Sequence, residues 1–232
     1  MTNTYSPTWF ELFLHPIVSA QTEREVAFIA RQLPQPAHRI VLDLCCGAGR
    51  HARLLAQQGY HVTGVDMHAA ALAQARSQSA DVTYLQQDMR DLSALSHSFD
   101  AVICMWQSFG HFDETTNSDI LRQIQRKLNP KGRLILDIYQ RGFFERHQET
   151  RHFERGVRAI TETKWMTGKR LTVQLDYGDW RDEFDWRLYT PEEICELAKQ
   201  VGFEPALVCT EFDEAQAATA EQPRMQVVVE KR

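Results

Sequence analysis

Apolar positions recur along the chain with two alternating spacings. Val26, Ile29, Ala30 and Leu33 share one helical face. Thr22 and Glu25 ahead of them form a capping-box pattern, and Pro34 stops the helix. Arg39–Leu44 is a short apolar run of strand type. Gly47 and Gly49 follow, then a helix with Ala52, Leu55 and Ala56 on one face, closed by Gly59. Residues 61–65 predict a second strand, 69–77 a helix, 82–86 a third strand and Phe99–Met105 a fourth. Ile120, Leu121, Ile124 and Leu128 mark a long helix ended by Pro130 and Gly132, and Leu134–Ile138 is a fifth strand. Short apolar strands alternating with helices predict a parallel sheet covered on both faces, wound in the right-handed sense.

The rhythm breaks after Ile138. Residues 150–189 are rich in Thr, Val, Trp and Tyr without a helical period, and predict two to four antiparallel strands with Lys169 near a turn. Thr190-Pro191-Glu192-Glu193 restarts a helix, with Thr190 as cap and Glu193 completing the box. Ile194, Leu197, Ala198 and Val201 face inward, and Gly202 ends it. Residues 205–212 and 225–230 supply two last strands around a polar loop at 213–223. The expected fold is therefore α/β: a doubly wound, mostly parallel, Rossmann-like seven-stranded sheet with an antiparallel β insertion after strand five. The expected domains are 1–140 with 190–232, and an inserted subdomain at 141–189 that serves as lid, acceptor wall or dimer interface.

The 232 residues are 43% apolar and 25% charged, which are globular values, and the net charge of −5 disfavours a general nucleic-acid binder. No apolar run approaches the roughly 20 residues of a membrane span. Met1–Pro16 has no basic start, so a secretory signal is not expected. Cys45, Cys46, Cys104, Cys195 and Cys209 are odd in number and form no CxxC pair, which suggests a reducing cytoplasm. Between Arg141 and Arg170 eight Lys or Arg stand against four Glu, and between Asp176 and Glu214 three stand against twelve acids. This segregation means either two solvated faces or a basic lid for an anionic substrate.

The informative stretch is Val41-Leu42-Asp43-Leu44-Cys45-Cys46-Gly47-Ala48-Gly49-Arg50-His51-Ala52, where the first strand turns into a helix. The glycines permit a tight turn and close approach of a ligand to free N–H groups. Gly-x-Gly-x-x-Ala with Asp66 also fits a dinucleotide fingerprint. Asp43 separates the two possibilities, because a carboxylate at the strand end repels a pyrophosphate and suits a cationic ligand. S-adenosylmethionine carries an ammonium and a sulfonium and no phosphate. Arg50 and His51 are either ordinary first-turn helix residues or part of the site.

On these residues the chain resembles the class I S-adenosylmethionine-dependent methyltransferases. Asp43-Leu44-Cys45-Cys46-Gly47-Ala48-Gly49 is similar to their first motif, Val65-Asp66-Met67 to the second and Gln87-Asp88-Met89 to the third. The resemblance implies that Asp43, Cys45, Gly47 and Gly49 hold the methionine end of the donor. Asp66 and Met67 would meet the ribose, Gln87, Asp88 and Met89 the adenine, and Trp106 would wall the donor site. Asp88 could instead cap a local turn before Arg90. The product would be S-adenosylhomocysteine.

The acceptor segment reads Trp106-Gln107-Ser108-Phe109-Gly110-His111-Phe112. It lacks the Asp/Asn-Pro-Pro-Tyr and Pro-Cys motifs of resembling enzymes that act on nucleic-acid bases. Transfer from an activated donor needs positioning and water exclusion, and a base only where the acceptor loses a proton. His111 is the first candidate base and Tyr139 the second. Tyr5, Trp9, Phe10 and Phe13 would fold over the donor, or simply pack on the sheet. His147 and His152 have no partnering acids and Asp137 stands alone, so no metal site is expected. The expectation is a cytoplasmic enzyme, with a homodimer among the candidate states, that methylates N or O of a small molecule, an anionic one among the candidates. Rival readings are a methyltransferase of RNA or protein, a nicotinamide-dependent oxidoreductase and a non-catalytic donor-binding protein.

Overall fold

A computed structural model describes residues 5–14, 17–96 and 98–232. A short helix α1 (Pro7–Trp9) runs into a π-helical turn, Phe10–Leu14, and α2 (Ser19–Gln32) follows. The expected alternation then appears: β1 (Ile40–Leu44), α3 (Arg50–Gln57), β2 (His61–Asp66), α4 (Ala69–Gln78), β3 (Thr83–Gln86), β4 (Phe99–Cys104), α5 (Glu114–Lys127) and β5 (Leu128–Tyr139). After α6 (Arg141–Arg146) come β6 (Thr150–Arg155), β7 (Arg158–Thr167), β8 (Arg170–Asp176) and β9 (Arg181–Arg187). The chain closes with α7 (Pro191–Gln200), β10 (Phe203–Thr210), β11 (Asp213–Ala217) and β12 (Arg224–Lys231).

The main sheet has the order β11-β10-β12-β5-β4-β1-β2-β3, and β6 to β9 form a separate four-stranded sheet. Strands β1 to β5 pair in parallel, and β12 lies antiparallel to β5. Consecutive residues of the central strands feed opposite cores, which is why the strands read as unbroken apolar runs. Leu42, Val102 and Leu136 join α5 and α7 on one face. Val41, Ile103 and Ile135 join α2, α3 and α4 on the other.

Two expectations are corrected. The eighth strand, β11, falls in the supposed loop at 213–223. It pairs with β10 after a turn in which Glu211 and Phe212 both have φ near +55° (54° and 57°). Its polar, mostly exposed residues carry no apolar alternation to announce it. Thr22 and Glu25 do not cap α2, which begins three residues before Thr22 at Ser19 and has no side-chain cap bond. Both side chains are buried inside the helix and turn towards α3. The second capping box is realised: Thr190 Oγ1 accepts from Glu193 N, and Glu193 returns a carboxylate to Thr190 N, each at 3.3 Å. Thr190→Ala is expected to lower the unfolding free energy by about 1 kcal/mol, measured by urea denaturation.

The charge segregation also finds a physical account. The basic run meets the acidic run within the fold: Arg158 pairs with Asp179 (2.8 Å), Arg141 and Lys169 with Glu193 (2.8 and 3.0 Å), and Arg170 with Asp185. None of these cations lines the cavity described below, so the basic lid for an anionic substrate is withdrawn.

Candidate active site

The C-terminal ends of the parallel strands open into a cavity of about 530 Å³. Its floor is the β1–α3 loop, where Cys45, Gly47 and Gly49 all have positive φ (63°, 53° and 72°). Gly47 lines the cavity and donates its N–H to Asp66 Oδ2 at 2.8 Å. Gly49 does not line it. A Cβ there would lie 2.3 Å from the Tyr84 hydroxyl, so this glycine lets the loop pack on β3. Asp66 lines the cavity, and its other oxygen accepts from His68 N at 2.8 Å. Met67, Gln87, Asp88 and Met89 line the same end. Asp88 also closes the anticipated local turn: it accepts from Arg90 N at 2.8 Å and pairs with the Arg90 guanidinium at 2.5 Å. That pairing holds its carboxyl below the usual range. Cys45 faces the cavity with its sulfur 3.6 Å from Met89 Sδ.

Asp43 lies under the loop, 1% exposed, and is absent from the cavity lining. Burial pushes its carboxyl up to about 7. Its Oδ2 has no hydrogen-bond partner among the described residues, and neither has the buried Nη2 of Arg50, which lines the cavity. An orphaned carboxylate oxygen and an orphaned guanidinium nitrogen near one glycine turn fit the ammonium and carboxylate of an amino acid.

Arg50 and His51 are not ordinary first-turn residues. Glu25, fully buried, accepts from Arg50 Nη1, from His51 Nε2 at 2.8 Å and from Trp106 Nε1 at 2.9 Å. Thr22 Oγ1 accepts from Arg50 Nη1 at 3.0 Å. Burial alone would push the Glu25 carboxyl up, but the His51 hydrogen bond and the Arg50 charge bring it well below the usual range. His51 is lowered by burial and by Arg50, so it is a neutral donor. Asp137 is not alone either. Fully buried, it accepts from Trp106 N (2.9 Å), Gln107 Nε2 (3.1 Å), Gln226 Nε2 (2.8 Å) and the Arg224 guanidinium. Trp106 lines the cavity with its indole between Arg50 (4.7 Å) and Arg224 (5.5 Å). It and Gln107 both hold φ of 56°, a conformation non-glycine residues adopt only when their surroundings impose it.

At the reacting end His111 and Tyr5 line the cavity and Tyr139 does not. The Tyr139 ring packs between Phe144 (5.0 Å) and Trp186 (5.4 Å), and burial raises its hydroxyl to about 12. Tyr5 stacks on Phe184 at 4.6 Å and meets the His111 ring edge-on at 6.3 Å, so the N-terminal aromatics cover the site. Burial strongly raises the Tyr5 hydroxyl. Burial and then the Arg170 charge lower His111 from 6.5 to about 4. Gly110 holds the loop. Its carbonyl accepts from Arg187 N at 2.7 Å, φ is 105°, and a Cβ would lie 2.6 Å from the Arg187 carbonyl oxygen. Among the described residues no group of three or more His, Cys, Asp or Glu side chains could hold a metal ion.

Fold and cavity together define a Rossmann-like α/β protein with a cavity at the strand ends. Residues 41–132 match the family described as a methyltransferase domain. A Bacillus subtilis protein named as a methyltransferase, YqeM, is 25% identical, with 91% of this chain and 90% of that one covered. The dTDP-3-amino-3,6-dideoxy-alpha-D-glucopyranose N,N-dimethyltransferase of Streptomyces fradiae is 35% identical over 112 residues, which span 48% of this chain and 43% of that one. The fold is shared by CalS10, an amino pentose methyltransferase from Micromonospora echinaspora solved with S-adenosylmethionine bound: TM-score 0.71, 20% identity, both chains covered in full (100%). The fold is the class I, Rossmann-like one, and residues 41–132 form its methyltransferase domain. Among the described residues no helix is long and apolar enough to cross a membrane.

Proposed function

We propose that this enzyme methylates N or O of a small-molecule acceptor held between the N-terminal aromatics and the loop after β4. The observation that carries this is the pairing of a half-buried His111, its imidazole held below the ordinary histidine range, with aromatic walls in one cavity. A wall of Tyr5, Trp9 and Phe112 suits a compact acceptor and excludes water. The Streptomyces fradiae relative, named for an amino sugar, favours an amine as the acceptor. The free thiols of all five cysteines accord with a reducing cytoplasm.

When bound, the donor supplies a methyl group already activated by its sulfonium. The chain's own residues position and shield it. Arg50 Nη2 meets the carboxylate, and Asp43 balances the ammonium from beneath the loop. Asp66 accepts from the ribose hydroxyls while its existing bonds to Gly47 and His68 fix its plane. Met67, Gln87, Asp88 and Met89 flank the adenine. His111 accepts a hydrogen bond from the acceptor N–H or O–H and so aims the lone pair at the methyl. The insertion backs the wall: Phe184 supports Tyr5, and Trp186, 5.6 Å from His111, supports the imidazole.

Titration calorimetry with S-adenosylmethionine, S-adenosylhomocysteine and NAD tests the donor site, with binding of the first two and none of NAD expected. Asp66→Ala is expected to weaken S-adenosylhomocysteine about 10- to 100-fold, the worth of charge-assisted hydrogen bonds, with a native circular-dichroism spectrum. An unchanged affinity overturns the ribose assignment. Turnover on amino sugars, amino acids and phenols identifies the acceptor, and activity on RNA alone overturns the small-molecule proposal.

A further inference from the structure

Among the described residues, Glu25 is the one carboxylate that touches both the donor-facing arginine and the residue that starts the acceptor loop. It sits on α2, outside every strand-end motif. Its two oxygens divide the work: Oε2 holds Arg50 and His51, and Oε1 holds the Trp106 indole N–H at 2.9 Å. Arg50 thus keeps one nitrogen bonded inside the protein and presents the other, buried and unpartnered, to the cavity. Trp106 is stacked against the same arginine and tied through its backbone N–H to Asp137. Its left-handed backbone begins the segment that carries Ser108 and His111.

We infer that Glu25 is a positioning residue that locks Arg50 and Trp106 together, so that contact of the donor carboxylate with Arg50 sets the acceptor loop. The inference rests on Arg50 being the partner of that carboxylate. A guanidinium held at one edge by a buried carboxylate has little freedom to swing, so its free edge is preorganised for a second carboxylate. When the free edge gains a partner, the guanidinium stays where Trp106 packs on it. When that edge has none, the left-handed turn at Trp106 and Gln107 loses part of what imposes it. Donor occupation and acceptor-loop order then become one coupled equilibrium.

The test compares S-adenosylhomocysteine with 5′-methylthioadenosine, which keeps the nucleoside and the sulfur and lacks the amino-acid end. Calorimetry on Glu25→Gln is expected to show about a tenfold loss of affinity for S-adenosylhomocysteine. The affinity for 5′-methylthioadenosine stays within about twofold. Thr22→Val removes one acceptor from Arg50 without touching the buried charges, so it keeps the test alive if Glu25→Gln fails to fold. Its expected selective loss is about threefold. Hydrogen exchange reads the second half. In the wild type, amides of residues 107–112 slow with S-adenosylhomocysteine and not with 5′-methylthioadenosine, and Glu25→Gln abolishes the difference.

Equal losses for both ligands, or none, in a folded variant overturn the positioning role. Equal slowing of 107–112 by both ligands overturns the coupling. A wild type that binds both ligands equally well fails earlier: it overturns the assignment of Arg50 and the inference with it.

Discussion

Asp137→Ala is expected to lower the unfolding free energy by about 3–5 kcal/mol, the cost of removing a fully buried carboxylate that is the nearer ion-pair partner of Arg224, Glu25 lying 3.9 Å away. Arg224 packs its guanidinium against Asp137 with only 23% of its side chain exposed. The carboxylate also takes the backbone N–H of Trp106 and the amides of Gln107 and Gln226, so its removal orphans several buried donors together. Urea unfolding of Asp137→Ala, Arg224→Met and the double variant separates the causes. If the lone cation dominates, the double variant recovers at least about 1 kcal/mol relative to Asp137→Ala. A double variant as unstable as the single places the loss in the orphaned N–H groups. Donor affinity should fall as well, because Trp106 loses its backbone anchor.

His111→Ala is expected to lower kcat/KM about 100-fold while leaving the affinity for S-adenosylhomocysteine unchanged, since it removes only an aiming contact. His111→Gln keeps an acceptor atom and should recover part of the loss. Because burial lowers this imidazole from 6.5 to about 4, His111 stays neutral across the physiological range. Its contribution to activity is flat above pH 5 and disappears as pH falls through about 4. The stability effect has the same direction. The unfolded chain takes up the proton first, so stability begins to fall below pH 6.5 and keeps falling towards pH 4. A carbon-detected titration of the labelled imidazole gives the midpoint directly. A midpoint near the ordinary histidine value places His111 in water and removes it from the reacting end.

The strand-end motifs were legible because each is local. Asp43 with Gly47, Asp66, and Asp88 with Met89 each follow an apolar run long enough to be recognised as a strand. What stayed hidden is what joins distant segments. Glu25, Arg50, Trp106, Asp137 and Arg224 come from five separate elements or loops, and no spacing in the sequence connects them. Thr22-x-x-Glu25 has the form of a capping box, yet both side chains bond Arg50 of α3. Asp137 looked isolated for the same reason, its cation lying 87 residues away. Tyr139 is the last residue of β5, where a side chain can turn to either face of the sheet, and this one packs under the insertion. The two charge runs meet in part: Arg141, Arg158, Lys169 and Arg170 of the basic run pair with acids of the other, across separations in sequence that no local pattern shows.

The insertion reaches the cavity without lining it. Its contacts with the site include the rings of Phe184 and Trp186, the backbone bond from Arg187 N to the Gly110 carbonyl, and the Arg170 guanidinium on the Phe112 and His111 carbonyls. The N-terminal aromatics, the four-stranded sheet and the loop after β4 thus form one adjustable piece, and the glycine turn with its acids forms another. Substitutions in the sheet can reshape what the enzyme accepts while its hold on the donor stays the same. A family built this way can diversify its acceptors by exchanging residues behind the wall, leaving the shared chemistry of the donor untouched.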